Sequence, residues 1–273
     1  MKEIVLKYWF CWVFVLVSCI PPGNLNPLIS LPNDLKEVSA AEVFDGNDTV
    51  WMIEDQGNAA KVYGIDLTQQ HLLKIITVEN AKNKDWEDLT SDTQGNLYIG
   101  DFGNNSNKRK EGTIYKLTNI ANSENKINAE TINYTVPKSL ENEDFESFFL
   151  YNGYFYIFSK DDKKGTVIKV PNSIGKKEAT IVSEFNLKGK DDAITSADIS
   201  ADGTEVILLN HEKLWKLSNF KGDDFFSGDV EKLSFDHNTQ KEGLCYLNDT
   251  TVILTDERND SEGGNVYSFS IDH

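Results

Sequence analysis

Short apolar runs of four to seven residues, rich in Val, Ile, Tyr, Phe and Thr, alternate along the chain with turns built from Gly, Asn and Asp. The runs come in sets. Five similar starts open the sets: "KEVSAAEV" at 36, "DWEDLTSD" at 85, "DFESFFLY" at 144, "TSADISAD" at 195 and "KEGLCYLN" at 241, spaced by about 45 to 59 residues. A second run follows each, from Thr49, Asn96, Tyr154, Thr204 and Thr250, then a third from Lys61, Gly112, Gly165, Glu212 and Asn265. A fourth, less regular run begins at Leu72, Thr131, Ala179 and Val230. This composition and these boundaries predict strands. No stretch sustains a 3.6-residue apolar period, so little helix is expected.

Four strands per unit at this period predict an all-β chain folded as a β-propeller, with five four-stranded blades. Six blades are the alternative, but no sixth start is present. The fifth set lacks its fourth run, whereas "PLISLP" (Pro27 to Pro32) is a spare run ahead of the first blade. It is expected to become the outermost strand of the last blade, removing an open edge. The aromatics Trp51, Trp86, Tyr98, Tyr156 and Trp215 fall in or beside strands and are expected to pack between blades.

Ahead of this lies a segment of another kind. Lys2 and Lys7 precede an apolar run from Tyr8 to Val17, too short to span a membrane, which is the layout of a secretory signal. It ends in Leu16-Val17-Ser18-Cys19, similar to the lipobox of bacterial lipoproteins, in which the cysteine becomes the lipidated first residue. The alternative is a plain signal peptide with an incidental cysteine. The expected organisation is a signal at 1–18, a tether at 19–26 and one propeller domain at 27–273. The expected location is the bacterial cell envelope, lipid-anchored at Cys19 and facing the periplasm or the cell surface. Cys245 is then the one internal cysteine, within an apolar run, and is expected to be a buried thiol rather than half of a disulfide.

Removing Lys2, Lys7 and Glu3 with the leader leaves 25 basic against 43 acidic residues. Such a balance argues against nucleic acid and anionic headgroups as partners. The expected partners are the membrane, through the lipid, and an unidentified small ligand or protein; the expected state is a monomer.

Propeller connectivity gives the acids a destination. The start of a blade's first strand and the end of its second meet at one mouth of the central channel. Strand-one starts supply Glu37, Glu87, Glu146 and Glu242, with Ala197 then Asp198 in blade four. Strand-two ends supply Asp55, Asp101, Lys160, Asn210 and Asp256. "DQGN" at 55 and "DFGN" at 101 are near copies, as are "DWE" at 85 and "DFE" at 144. Carboxylates so gathered repel unless a cation lies among them. The expected metal ligands are Glu37, Asp55, Glu87, Asp101, Glu146, Asp198, Glu242 and Asp256, and the expected ion is Ca²⁺, which prefers six to eight oxygens. Lys160, Asn210 and His211 are expected to contact a ligand in the funnel, with His237 on a loop of the same face. The alternative is that some acids cap strand-end amides and Lys160 balances the rest. Zinc fits less well, because cysteine and spaced histidine ligands are scarce.

The motifs "DWEDLTSDTQGNLYIGDFGNN" and "SADISADG" resemble a largely uncharacterised family of exported bacterial propellers whose repeats read "DWEDIA…GNLYIGDIGDN" and "ADVSPDG". The resemblance runs from about Leu31 to Ile271 and implies the propeller fold. More distantly, the chain is similar to phytase-like and gluconolactonase-like propellers, which implies a Ca²⁺-holding funnel. No Gly-x-Ser-x-Gly elbow, His-Glu-x-x-His, P-loop or dinucleotide fingerprint occurs. The sequence therefore reads as a binding module with an acidic, Ca²⁺-binding funnel. The alternatives are a Ca²⁺-assisted hydrolase of phosphate esters or lactones and a glycosidase; no catalytic residue can be singled out.

Overall fold

The computed structural model describes residues 23–160, 164–187, 193–260 and 262–272. The leader, Cys19 and the first part of the tether lie outside them. The described residues form five sheets in a ring, one per blade. From the axis outward, blade one contains Val38–Val43, Thr49–Glu54, Lys61–Asp66 and His71–Val78; blade two contains Trp86–Ser91, Leu97–Asp101, Glu111–Leu117 and Glu130–Thr135. Blade three contains Phe145–Tyr151, Tyr154–Ser159, Gly165–Pro171 and Thr180–Phe185; blade four contains Ser196–Ile199, Glu205–Leu209, Lys213–Ser218 and Asp229–Ser234. Blade five contains Lys241–Asn248, Thr251–Asp256 and Asn265–Ser270, and its outer strand is Asn26–Ser30. That last strand pairs antiparallel with Asn265–Ser270, placing Asn26 opposite Ser268 and Ser30 opposite Asn265. The expected closure is present.

Two blades exceed the expected four strands. Lys126–Ile127 pairs parallel with the outer strand of blade one, and Gly175–Glu178 does the same on blade two. In each case the following blade lends a short segment to cover an otherwise open edge.

Apolar side chains on the two faces of each sheet pack against the neighbouring blades, so the core is divided into five interfaces. Trp51 and Trp86 share the interface of blades one and two; Tyr98 and Phe148 that of two and three; Tyr156 and Trp215 that of three and four. All five expected aromatics are buried. Cys245 lies fully buried between blades five and one, unbridged, where burial pushes its thiol well above the ordinary range.

The innermost strands pose a hydrogen-bonding problem. Each has a strand partner on one edge only, and the other edge faces the axis. Buried amides on that edge need acceptors. Side chains of preceding blades provide them. Asp88 accepts from Phe148 N at 3.0 Å and Ala197 N at 3.2 Å, and from Ser196 Oγ at 2.9 Å. Thr90 Oγ1 accepts from Leu150 N, Ser196 Oγ from Leu244 N, and Asp198 from Tyr246 N at 2.8 Å. Ser39 and Thr195 hydroxyls donate in turn to the carbonyls of Trp86 and Lys241. Asp88, with no exposed surface, reaches from blade two to blades three and four and closes the waist of the channel.

Candidate functional site

The waist divides the channel into two mouths, and the expected acids gather at the one formed by strand-one starts. Register decides which of them face it. Val38 pairs with Glu54, Trp86 with Asp101, Phe145 with Ser159 and Lys241 with Asp256, and in each inner strand a β-bulge follows immediately. The bulged residues are Ser39, Glu87, Glu146 and Glu242; an extra residue at a bulge redirects its side chain. Blade four has no such bulge at its start, and Ser196 pairs directly with Leu209, so Thr195 occupies the equivalent place.

This register separates the expected residues into two groups. The last position of strand two, and in blade four the next residue, Asn210, faces its own blade. Asp256 accepts from Tyr267 Oη at 2.9 Å, Asn265 N at 2.7 Å and Thr239 Oγ1. Asn210 Oδ1 accepts from Glu212 N and Lys213 N. Asp101 is paired with Arg109 at 2.6 Å. These three fasten strand two to the connection that follows it. His237 is buried and receives Lys241 Nζ on Nδ1 at 2.9 Å. Asp198 lies at the opposite mouth, held by Tyr246 N and Ile199 N.

The second group converges. Asp55, Lys160 and Glu257, one position past strand two, and His211, two past Leu209, meet Glu37, Glu87, Glu146 and Glu242. Glu146 Oε2 lies 3.0 Å from Lys160 Nζ. Glu242 Oε1 lies 3.1 Å from His211 Nε2 and accepts from Gln240 at 3.0 Å. Glu37, which is exposed, accepts from Asn58 Nδ2 at 2.7 Å.

Within this group, Asp55, Asp85 and Glu87 each bring one carboxylate oxygen within 4.8 Å of the others. Asp85 and Glu87 are buried, and Asp85 Oδ1 and Glu87 Oε1 have no hydrogen-bond partner. Burial raises all three carboxyls, and neighbouring acids raise them further. Asp55 and Asp144 act on Asp85, which reaches about 6. Glu146, then Asp55 and Asp85, act on Glu87, which lies well above its usual range. Glu242 and Glu37 act on Asp55, which is shifted in the same direction. The backbone closes over them at Gly103, where a Cβ would collide with Glu87 Oε1 and the Asp85 carboxyl. This is a buried acidic triad, shaped so that a divalent cation can be held by oxygen ligands. A cation there would partner the two orphaned oxygens and remove the repulsion.

Sequence reasoning named Asp55 and Glu87 but not Asp85 or Glu257. Asp85 had a signal, because an Asp two residues before the bulged Glu occurs twice, in "DWE" and "DFE". In blade three that Asp, Asp144, accepts from Asn104 N and so fastens "DFGN" to the next blade. Glu257 is raised to about 8, by burial and then by the charges of Glu242, Asp55 and Glu37.

No family model matches the chain. No curated protein matches it in sequence. Solved structures match in fold. The PQQ-bound aldose sugar dehydrogenase from Streptomyces coelicolor aligns with a TM-score of 0.55 and 8% identity, over 91% of this chain and 98% of that one. The β-propeller domain of Cps50 (Swd1) from Myceliophteria thermophila aligns at 0.50 and 8%, over 91% and 100%. At such identities the likeness shows the fold alone, and the bacterial exported family suggested by the motifs is supported only to the level of a β-propeller.

Proposed function

We propose that the protein is an envelope-anchored binding module whose acidic mouth holds a Ca²⁺ ion on Asp55, Asp85 and Glu87. The ion joins blade one to blade two and offers its remaining coordination positions to a ligand or partner. The observation that carries this reading is the pair of buried, unpartnered oxygens, Asp85 Oδ1 and Glu87 Oε1. Leaving a buried acceptor unpaired costs about 1–3 kcal/mol, and more when it is charged. Retention of two such groups beside Asp55 is what a cation site requires. Ca²⁺ is preferred to Mg²⁺ because a mouth lined by many carboxylates can supply the larger and more variable set of oxygens that Ca²⁺ takes, whereas Mg²⁺ demands strict octahedral geometry. The anchor is assigned to Cys19 from the leader sequence. Lys160 is already engaged by Glu146, which weighs against a hydrolase, where that lysine would have to meet substrate charge.

Thermal unfolding of the purified chain tests the assignment, first in excess EDTA and then with Ca²⁺ restored. An ion at about 100 times its Kd stabilises by about 2.7 kcal/mol, which for this size is a rise of roughly 5–11 °C in Tm. Asp85→Asn should abolish the rise. A Tm unmoved by Ca²⁺ in the unmutated chain would refute the site.

A further inference from the structure

We propose that the other mouth of the channel is a separate binding site for a small organic dication, such as a diamine or a guanidino-amine. A cavity of about 560 Å³ opens there. It lies on the axis, because its walls come from the strand-one ends and following turns of all five blades: Val43, Ser91, Leu150, Ile199 and Leu247 each contribute. That volume falls within the range of small-molecule sites, which is roughly 300–1,000 Å³.

Its chemistry is one-sided. Glu42 and Asp198 lie at the inner end, and Asp45 and Asp249 at the exposed outer end. No Lys, Arg or His lines it among the described residues. Glu42 is 5% exposed, and although Ser91 Oγ donates to its Oε1 at 2.8 Å, its Oε2 has no partner. The Tyr246 hydroxyl, on a residue lining the same cavity, is also buried and unpartnered. These groups await a donor. Burial and the neighbouring Asp198 push the Glu42 carboxyl well above its usual range, so the site is unfavourable to its own charge without a counter-ion.

Size and spacing select the kind of cation. Among the described residues only Asp55, Asp85 and Glu87 bring three metal-binding groups within 4.8 Å of one another, so this cavity does not concentrate ligands as a bare metal ion needs. An elongated dication can place one nitrogen against Glu42 and Asp198 and the other near Asp45 and Asp249. Tyr151 and Tyr246 line the same cavity and add aromatic surface to its wall.

Isothermal titration of the purified chain with putrescine and with agmatine tests the site, with 1,4-butanediol as the uncharged isostere. One saturating site for at least one amine is expected, with no heat of binding from the diol. Glu42→Gln retains the bond from Ser91 and should weaken binding at least tenfold. Asp249→Lys, at an exposed turn position, should do the same. Glu87→Gln, at the other mouth, should change it less than twofold, which separates this site from the proposed Ca²⁺ site. Absence of saturable binding by both amines would overturn the proposal. So would binding indifferent to both Glu42→Gln and Asp249→Lys, equal binding of the diol, or saturation of this mouth by Ca²⁺ with Glu42→Gln abolishing it.

Discussion

Replacing Asp88 with alanine should destabilise the ring more than any other single carboxylate deletion. The side chain is fully buried and accepts hydrogen bonds from Leu89 N, Phe148 N, Ser196 Oγ and Ala197 N. Phe148 and Ala197 lie on the axis-facing edges of two other blades, where no strand can replace the lost acceptor. Orphaning a buried amide costs about 1–3 kcal/mol, so these two alone amount to about 2–6 kcal/mol. An opposing effect is relief of the buried charge: burial pushes the carboxyl well above its usual range, while bonds from Phe148, Ser196, Leu89 and Ala197 pull it partway back. The lost bonds should win, because they tie three blades together and the vacated space holds at most a water that pairs with some of them. Against a typical total of about 5–15 kcal/mol, the loss is large. Urea unfolding at pH 7, followed by tryptophan fluorescence, would measure it. Asp88→Asn retains one acceptor oxygen and should lose less. A loss below about 1 kcal/mol for Asp88→Ala, or an Asp88→Asn variant more stable than the parent, would show that the charge and not the stitching dominates, and would refute the reasoning.

Other outcomes follow from the acidic mouth and the closing strand. In EDTA the protein should gain stability as pH falls from about 8 to about 6. Glu146 and Glu257 at about 8 and Asp85 at about 6 bind protons more tightly folded than unfolded, so the penalty is full above about 8. Glu146 and Glu257 relieve it as pH falls through that value, and Asp85 adds its share only below about 6. Saturating Ca²⁺ should flatten this slope; a midpoint that rises with pH in EDTA would contradict it. Glu87→Gln should raise Tm in EDTA by removing the cost of burying a carboxylate and, after it, repulsion with Glu146, Asp55 and Asp85, yet lower it relative to the parent in Ca²⁺. A variant that shifts in the same direction under both conditions would count against the triad. Ile29→Asp, at a buried position of the closing strand, should cost about 3 kcal/mol or more and promote self-association through the exposed edge of Asn265–Ser270, read by light scattering.

The blade starts made the architecture legible, because each carries a turn and two strand-like runs at a steady period. The lone N-terminal run could belong only to a blade lacking its fourth strand. The mouth was harder to read, since motif alignment ignores bulges. "KE" at 36 looks like the counterpart of "WE" at 86, but pairing makes Ser39 the equivalent of Glu87, and Glu37 lies further out. In blade four the missing bulge moves the equivalent place to Thr195, so Asp198 falls near the far mouth, level with Glu42. The short strands Lys126–Ile127 and Gly175–Glu178 carry no strand-like pattern; they exist because an open blade edge lies beside them. Nor does any motif mark the far cavity, which is assembled from one turn of each blade.

The seam between Asn26–Ser30 and Asn265–Ser270 also sets an order of events. The first strand of the ring to be made joins the last, across 242 positions in the Asn26–Ser268 hydrogen bond. Until blade five emerges, the earlier strand has no partner, and four blades must wait as an open arc. Contacts so distant in sequence form late. The vulnerability of the arc to proteases and to other copies of the chain therefore lasts until blade five is made and the seam can close.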